Sequence, residues 1–474
     1  MTVYVFYQVD KLVFAPLTGY IKDDLDLTDS QIGLITGPAA TWATLIGGVP
    51  LARATDVWNR VRILAAGLVF WSAFTILSAF ANDFWSLFLF HIGVGFGEAA
   101  CNPPAYSLIA DYFGHQKRAG AMSVYSLAIY IGGALSYVLG GQLGERYGWR
   151  KTLLAVGIPG IVFALVVLAA VREPMRGARE DDGKPAEGAA PGLVSSSSDV
   201  APTAGGNASG GDVPAAVVGQ RKYSVRETLV YMFHMRAGII LAIAAGVRIF
   251  AGNALGYWIV TFFDRVHGVD SATTGDVLVV IISVGGISGV ALGGWTTTRW
   301  QRRNFRAQAL VPAISCLLGA PLIACVLAAK DAKLAFVLLF VEYVVAESWI
   351  GAVTSLLQRM VPAGMRGMAS AAYITITSLI GALGTVAVGQ LNDAHMDDPT
   401  WIRWSMMICI TSGYIISGIG FIACAAMLKP DPVAATMDSP ASQGEHQLIS
   451  AGLPASFSSY TDAPGPSRRD STTI

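Results

Sequence analysis

The sequence predicts an all-α membrane protein in which twelve transmembrane helices form two pseudo-symmetric lobes of six helices each. The composition indicates the membrane class, because 53% of the 474 residues are hydrophobic and only 14% are charged, whereas soluble domains are about a quarter charged. The segmentation gives the number of helices, because twelve apolar stretches are long enough to cross a bilayer. A long polar stretch divides them six and six.

Each predicted helix has about 20 mostly apolar residues, which is the length that a bilayer crossing requires. The twelve segments are residues 2–20, 31–53, 60–81, 84–111, 119–143, 151–171, 237–262, 274–298, 307–329, 333–360, 367–391 and 402–427. The first segment fits least well, because it is short and contains Asp10 and Lys11. These two residues indicate either a functional site or a frayed helix start.

Two stretches have too little apolar surface to fold. Residues 172–222 and 429–474 are rich in Gly, Ala, Ser and charged side chains, which is typical of flexible linkers and tails. The pattern from Arg221 to Met235 is compatible with an amphipathic helix on the cytoplasmic membrane surface. The predicted organisation is an N-terminal lobe, a cytoplasmic linker, a C-terminal lobe and a disordered cytoplasmic tail, over residues 1–171, 172–236, 237–428 and 429–474.

The loops between the segments differ in their basic residues, and this difference predicts the orientation. One set of loops is rich in arginine and lysine, whereas the other is poorer and often acidic; the loop with Arg146, Arg150 and Lys151 is an exception. The basic set comprises Arg53, Arg60, Arg62, Lys117, Arg118, Arg299, Arg302, Arg303, Arg306, Arg359 and Arg366. Both termini are therefore expected in the cytoplasm, with the plasma membrane and an endolysosomal membrane left as alternatives.

Residues 88–105, FLFHIGVGFGEAACNPPA, place His91, Glu98 and Asn102 inside a long apolar run. A charged group at membrane depth costs about 2.5–3.5 kcal/mol on insertion scales, so such groups usually face a water-filled cavity or a partner. Two helical turns separate His91 from Glu98, which puts both on one face of the helix. The segment is predicted to form the titratable wall of a transport pathway. A hydrogen bond that only joins two helices is the alternative for Glu98.

Other classes of function are not indicated. A net charge of zero gives no reason to expect nucleic-acid binding. The chain has no GxxxxGK[ST] loop, no HExxH motif and no Ser/His/Asp order that stands out, so ATP-driven pumping and enzymatic activity are not expected. We predict a monomer without cofactor or metal, whose partners are an amphipathic solute, protons and membrane lipids.

The two halves carry related residues after their second helices. These residues are Gly47, Gly48, Asp56, Arg60 and Arg62 in the first half, and Gly293, Gly294 and Arg299 in the second. The arrangement resembles the G-x-x-x-D-R-x-x-R-R loop motif of the major facilitator superfamily, with departures at Val57 and Thr298. The resemblance implies a gating motif in which Asp56 pairs with a base on a neighbouring helix. For the arginines, a role in fixing topology is the alternative.

Longer stretches resemble the spinster family within that superfamily. They are LTDSQIGLITGPA (28–40), HIGVGFGEAACNPPAYSLIADYF (91–113), LGERYGWRKTLLAVGIPG (143–160), ALGYWIVTFF (254–263) and VPAGMRGMASA (361–371). They extend from the first helix to the eleventh, and the run GVGxGEA…PPAxSLIxDYF is the most specific. The resemblance implies the major facilitator fold and an amphipathic lipid as solute, such as a lysophospholipid or a sphingoid-base phosphate.

The same resemblance implies roles for three residues of the first lobe. Spinster proteins typically carry an aspartate followed by a base in the first helix, as Asp10 and Lys11 do here, which implies a proton or cation site at Asp10. Glu98 matches the family carboxylate. His91 stands where relatives typically have arginine, so either it joins a proton relay or a fixed cation for binding anions has been lost. A purely structural histidine is the alternative.

The expected substrate cavity draws on both lobes. Its candidate residues are Asn102, Arg248, Asn253, Tyr257, Trp258, Glu342 and Glu347. Glu342 and Glu347 are five residues apart, so they lie on different faces of a helix. At most one of them is expected to face the cavity, and the other can pair with Arg248.

The resulting hypothesis is a proton-coupled, alternating-access transporter of a lysophospholipid or sphingolipid-type solute. Protonation of Asp10 and Glu98 would remove buried charge and permit closure around a cavity that also contains His91. One alternative keeps the fold but changes the solute to a small organic anion or a drug-like molecule. Another is a non-transporting receptor or scaffold, for which deletion of residues 429–474 would abolish activity and Glu98→Gln would not.

Overall fold

The structure is a computed structural model that describes residues 1–113, 115–175, 235–361 and 365–428. The predicted tail, the predicted amphipathic helix before Met235 and most of the predicted linker lie outside these residues, as does the side chain of Asp56. Residues Met1–Ala426 form one compact unit.

Six helices precede the linker. Helix 1 comprises Thr2–Leu12 and Phe14–Leu25; helix 2 comprises Asp29–Leu34, the π-helical Ile35–Ala39 and Ala40–Val57; helix 3 is Arg60–Ser78; helix 4 comprises Phe84–Glu98 and Asn102–Tyr112; helices 5 and 6 comprise His115–Ser126 and Ala128–Ala170. The chain reverses between helices 5 and 6 at Gly148, whose φ of 80° is a conformation that glycine adopts without steric cost.

Six helices follow the linker. Helix 7 is Arg236–His267; helix 8 comprises Ser271–Val280, the π-helical Ile281–Gly285 and Gly286–Gln301; helix 9 is Ala307–Ala328; helix 10 comprises Ala332–Ala346, the 3₁₀ turn Glu347–Trp349 and Ile350–Met360; helix 11 comprises Arg366–Gly381 and Leu383–Asp393; helix 12 comprises Pro399–Trp401, Ile402–Met406, the π-helical Met407–Thr411 and Ser412–Met427.

Nine of the described helical runs are long and apolar enough to cross a membrane, and one of them contains both helix 5 and helix 6. Helices 1 and 2 are not among the nine, and each is divided into shorter pieces. The part of the chain that the structure describes therefore has the twelve predicted helices and no β-strand.

Polar side chains fix where several helices begin. Thr28 accepts a hydrogen bond from the backbone N–H of Gln31, and the Gln31 side chain accepts one from the N–H of Thr28, which is a capping box at the start of helix 2. Asp83 and Asp270 cap helices 4 and 8 in a related way. The backbone N–H of Ser86 lowers the pKa of Asp83.

The two ends of the helix bundle differ in how the lobes meet. We call the end with Met1 and the close of helix 12 the proximal end, and the opposite end, with the loops at 26–28, 268–270 and 394–398, the distal end. Glycines bring the lobes together in the distal half. A Cβ atom added at Gly37 would lie 2.3 Å from the carbonyl oxygen of Ala382, and one at Gly389 would lie 2.3 Å from that of Asp29. Only glycine permits this approach of helices 2 and 11.

Candidate functional site

Glu98 is a buried carboxyl group at a break in helix 4. It is the last residue of Phe84–Glu98, fourteen residues after Phe84 and fourteen before Tyr112, so it lies close to the middle of the membrane-spanning run. Its side chain is 3% exposed. Among the described residues, none forms a hydrogen bond to Oε1. A buried polar atom without a partner is rare enough to require a functional or structural reason.

Asp10 is buried in helix 1 and faces helix 3. Its Oδ2 accepts a hydrogen bond from the Trp71 indole N–H at 2.9 Å, and its Oδ1 accepts one from the Thr75 hydroxyl at 3.0 Å. Asp10 and Lys11 of helix 1 both lie within electrostatic range of Glu98 of helix 4.

His91 packs against helix 1 one helical turn beyond Asp10. Its ring meets that of Phe14 edge-on, with 4.5 Å between the centroids, and it is 2% exposed. Nδ1 has no hydrogen-bond partner among the described residues. The contacts of His91 thus give no sign of a relay to a neighbouring carboxylate.

A cavity of about 160 Å³ lies between the lobes at mid-depth. Its polar lining consists of Gln8, Tyr130, Tyr137, Asn253, Tyr257, Tyr343 and Glu347. Asn253, Tyr257 and Glu347 are three of the predicted cavity residues. Gln8 and Tyr343 were not among the predicted cavity residues.

The expectation that Asp10, His91 and Glu98 share this cavity is corrected by the geometry. Gln8 and Leu12 are four residues apart on helix 1, and both line the cavity. Asp10 lies midway between them, about 200° around the helix from each, so it points into the first lobe instead. None of Asp10, His91 and Glu98 lines this cavity, and the His91 ring packs against Phe14 of helix 1 instead.

Tyrosines connect the lobes beside the cavity. The Tyr257 hydroxyl of helix 7 donates to the carbonyl oxygen of Lys11 at 3.0 Å, and the Tyr137 hydroxyl of helix 5 donates to that of Gly256. These bonds join helix 7 to two helices of the other lobe. The acceptors are the backbone carbonyl oxygens of Lys11 and Gly256, which are the chain neighbours of Asp10 and Tyr257. A movement between the lobes at this point must break both hydrogen bonds.

Arg248 and Glu347 form an ion pair on the opposite side of the cavity. Nη2 of Arg248 lies 3.5 Å from Oε1 of Glu347 and donates to the Ala346 carbonyl oxygen at 2.9 Å. The guanidinium also packs over the rings of Tyr414 and Trp349, with 4.6 and 5.5 Å to the centroids. Glu347 lines the cavity and Arg248, 2% exposed, lies behind it. The expectation that Arg248 itself lines the cavity is corrected accordingly.

Three other predicted cavity residues face neighbouring helices. Glu342 is fully buried and accepts a hydrogen bond from the Tyr414 hydroxyl at 2.7 Å. Trp258 donates from its indole N–H to the carbonyl oxygen of Thr385 at 3.0 Å. Asn102 accepts from the Tyr125 hydroxyl at 3.0 Å, at the break in helix 4. None of these three side chains is among the residues that line the cavity.

A network of charges joins the lobes at the distal end. Asp29 accepts hydrogen bonds from Arg265 at 2.6 and 3.0 Å, from Asn392 at 2.9 Å and from Lys22. Asp393 accepts the backbone N–H groups of Asp29 and Ser30 at 2.9 and 2.8 Å. We call Lys22, Asp29, Arg265, Asn392 and Asp393 the distal seal. Burial alone would raise the pKa of Asp29, but the hydrogen bonds and charges of Arg265 and Lys22 hold it below its usual value.

The arginines of the loop motif have different surroundings. Arg60 is buried and its guanidinium contacts Asp111, Glu173 at 2.6 Å and the Ser107 hydroxyl at 2.8 Å. These contacts tie the start of helix 3 to helix 4 and to the chain after helix 6, all within the first lobe. Arg62 and Arg299 are exposed. The side chain of Asp56 is not among those that the structure describes. The gate predicted at this residue therefore remains a prediction.

The sequence contained a partial signal for the distal seal. Thr28 and Gln31 have the spacing of a capping box, which locates the start of helix 2 and therefore Asp29. Nothing local indicated that Arg265 and Asp393, 236 and 364 residues further along the chain, would be its partners.

Comparisons with known proteins agree on the family. Residues 1–385 match the family model described as Major Facilitator Superfamily. An MFS-type efflux pump of Mycolicibacterium smegmatis is 26% identical over 394 residues, covering 82% of this chain and 82% of the relative. Protein spinster homolog 1 of Homo sapiens is 26% identical over 450 residues, covering 89% of this chain and 79% of the relative.

Two further comparisons concern the fold and the spinster resemblance. A sphingosine-1-phosphate transporter of Danio rerio is 25% identical over 451 residues, covering 89% of this chain and 82% of the relative. A crystal structure of a bacterial homolog of the human lysosomal transporter spinster matches with a TM-score of 0.70 and 23% identity, covering 90% of this chain and 94% of that one. The predicted spinster resemblance and the predicted twelve-helix fold are confirmed, as is the expectation that the chain is a transporter and not an enzyme.

Proposed function

Since this chain belongs to the major facilitator superfamily, we propose that it is a proton-coupled secondary transporter of an amphipathic lipid-type solute. The two lobes alternate between a state sealed at the distal end and a state open there. Both termini lie in the cytoplasm, so the distal seal faces the opposite side of the membrane.

The observation that carries this proposal is a pair of carboxyl groups at breaks in corresponding helices. Glu98 ends the first part of helix 4, and Glu347 begins the 3₁₀ turn in the middle of helix 10. Transporters with repeated halves bind substrates and coupling ions near the membrane midplane, commonly at discontinuous helices. Each lobe thus offers one ionisable group at the depth where coupling is expected.

Proton uptake at Glu98 and Asp10 is the proposed coupling step. Glu98 keeps one buried oxygen without a partner among the described residues, whereas both oxygens of Asp10 accept hydrogen bonds. Transfer of an ionised carboxylate into apolar surroundings is costly, and protonation removes that cost. The first lobe then carries no negative charge at these two buried side chains while the lobes move. The backbone of Lys11, hydrogen-bonded to Tyr257, carries the change on helix 1 to the other lobe.

The proposed solute has an anionic headgroup and an apolar chain. Arg248 supplies a fixed positive charge behind Glu347, and four tyrosines give the cavity an apolar and hydrogen-bonding surface. A phosphate-bearing headgroup would compete with Glu347 for Arg248. The similarity of this chain to a sphingosine-1-phosphate transporter of Danio rerio supports a lysophospholipid or a sphingoid-base phosphate.

The test is uptake of a labelled lysophospholipid into proteoliposomes, with and without an imposed pH gradient. We expect saturable uptake that the gradient accelerates, and no acceleration for Glu98→Gln. Empty vesicles and vesicles with the Glu98→Gln protein are the matched controls. Equal and unsaturable signals from protein-containing and empty vesicles would contradict the proposal.

A second candidate solute is a drug-like molecule or a small organic anion. The similarity to an efflux pump of Mycolicibacterium smegmatis favours this candidate, because the alignment covers 82% of this chain and 82% of the pump. His91 also favours it, because a fixed cation typical of spinster proteins is replaced there. A panel of both solute classes, scored by the rise in melting temperature in detergent, separates the candidates: lysolipids alone should raise it under the first proposal.

A further inference from the structure

An apolar groove runs along the outer face of the first lobe, between helices 2 and 3 with helix 4 as its floor. Its volume is about 600 Å³, within the range of about 300–1,000 Å³ that small-molecule sites occupy. Every residue that lines it belongs to the first lobe, so it is separate from the cavity between the lobes. Ala66, Phe70 and Phe96 are exposed along its walls.

The groove has the depth of one membrane leaflet. It begins at Asn59, where helix 3 starts, and reaches Phe70 and Phe96. The eleven helical rises between Asn59 and Phe70 span about 16 Å. That length is about half of the ~30 Å hydrocarbon core. An acyl chain that entered from the proximal surface would therefore end at the groove's inner end, near mid-membrane.

The mouth of the groove has the chemistry of a headgroup site. Arg62 is exposed and lines the mouth, and Trp58, 67% exposed, lies beside it. Tryptophan is enriched at the level of lipid headgroups. Arg60, two residues away, is committed to Asp111 and Glu173 inside the lobe. Arg62 is therefore the arginine that the groove presents to an anion.

We propose that this groove binds one chain of a bilayer phospholipid with an anionic headgroup, which contacts Arg62. The bound lipid is a resident component of the first lobe, distinct from the transported solute. The apolar length, the single-leaflet depth and the positive charge at the mouth fit a phospholipid together, whereas a soluble anion would use only the mouth.

The test measures phospholipid binding to the delipidated full-length protein by native mass spectrometry. Phosphatidylglycerol and phosphatidylcholine with the same chains are the two ligands, and sn-glycerol 3-phosphate is the chain-free competitor. We expect the wild type to prefer phosphatidylglycerol by about fivefold, the contribution of one basic side chain at an anionic surface, and the chain-free competitor not to displace it.

Two variants separate the parts of the site. Arg62→Gln should abolish the preference and leave phosphatidylcholine binding unchanged, whereas Ala66→Phe, which fills the groove, should weaken both lipids. Lys151→Gln removes an exposed charge elsewhere and should behave as wild type. Equal binding of both lipids by wild type and Arg62→Gln would overturn the proposal. Because Arg62 is exposed, this comparison remains decisive even if Ala66→Phe fails to fold.

Discussion

At the scale of single residues, the structure distinguishes carboxyl groups that have all their hydrogen bonds from those that do not. Asp10 is held by Trp71 and Thr75, whereas Glu98 retains one unpartnered oxygen within the described part of the chain. An unpartnered buried oxygen costs stability in the ionised form, so Glu98 has the stronger reason to bind a proton.

The residue-scale prediction for coupling compares two buried glutamates. Glu98→Gln should reduce accumulation driven by a pH gradient at least tenfold, because the amide cannot exchange a proton. Glu342→Gln should retain most of it, because the amide oxygen can still accept the hydrogen bond from the Tyr414 hydroxyl and the residue lies inside the second lobe, away from Asp10. Proteoliposome uptake measures both. Similar losses in the two variants would mean that any buried carboxyl group here supports folding and that Glu98 has no special role.

The ion pair of Arg248 and Glu347 yields a second prediction. Glu347→Gln removes the negative charge that competes for Arg248. A lysolipid whose phosphate headgroup carries a net negative charge should therefore bind several-fold more tightly at neutral pH. A lysolipid with a zwitterionic headgroup serves as the control ligand and should change little. Binding titrations in detergent provide the measurement, and weaker binding of the anionic lysolipid to the variant would show that Glu347 contacts the solute favourably.

At the scale of helices, close glycine packing determines how the lobes seal. Gly37 and Gly389 bring the backbones of helices 2 and 11 into contact in the distal half. Helix 2 also contains a π-helical turn with Pro38 at this point, and helix 8 has a π-helical turn in the corresponding place of the second lobe. Such turns occur frequently at functional sites.

Replacing Gly37 tests this packing. Gly37→Val places a side chain 2.3 Å from the carbonyl oxygen of Ala382, so the sealed state should lose about 1–3 kcal/mol. Gly351→Ala is the control, because nothing lies within 4 Å of the added Cβ. Melting temperature in detergent should fall for the first variant and stay constant or rise slightly for the second. An unchanged melting temperature for Gly37→Val would contradict the described contact.

The sequence predicts helices better than it predicts which way their side chains point. The twelve helices follow from hydropathy, and Glu98 stands out because a carboxylate in an apolar run is costly. The direction of Glu342 and Glu347 depends on the 3₁₀ turn at Glu347–Trp349, which regular helical periodicity does not include. Helical periodicity places Asp10 on the face opposite Gln8 and Leu12, so the sequence could have shown that these residues do not all face one cavity. The distal seal could not be predicted from the sequence, because its residues come from remote parts of the chain.

At the scale of the whole molecule, the interlobe contacts described here lie at the distal end and beside the cavity. The distal seal joins helices 1, 2, 7 and 11 through Asp29, and Gln142 donates to Asp276 between helices 5 and 8 at 3.0 Å. The proposed alternating access requires that this set of contacts be broken in each cycle, so the strength of these contacts bears directly on the transport rate.

The distal seal should not respond to pH in the physiological range. The pKa of Asp29 is lowered in the folded protein, so the stability that it contributes is present above its unfolded pKa of about 3.9 and is lost only as the pH falls through the lower folded value. Arg265→Gln should therefore cost about 1.5–3 kcal/mol, equally at pH 5.5 and pH 7.5. A cost that disappears at pH 5.5 would place the proton switch in the seal.

Proton coupling requires that solute and protons cross the membrane in the same transport cycle. It is tested most directly by proteoliposomes that contain a pH-sensitive dye and receive a gradient of lysophospholipid without an imposed pH gradient. We expect the internal pH to change with the solute gradient for the wild type and to stay constant for Glu98→Gln. Movement of the labelled lysolipid in the wild type with no change of internal pH would contradict it.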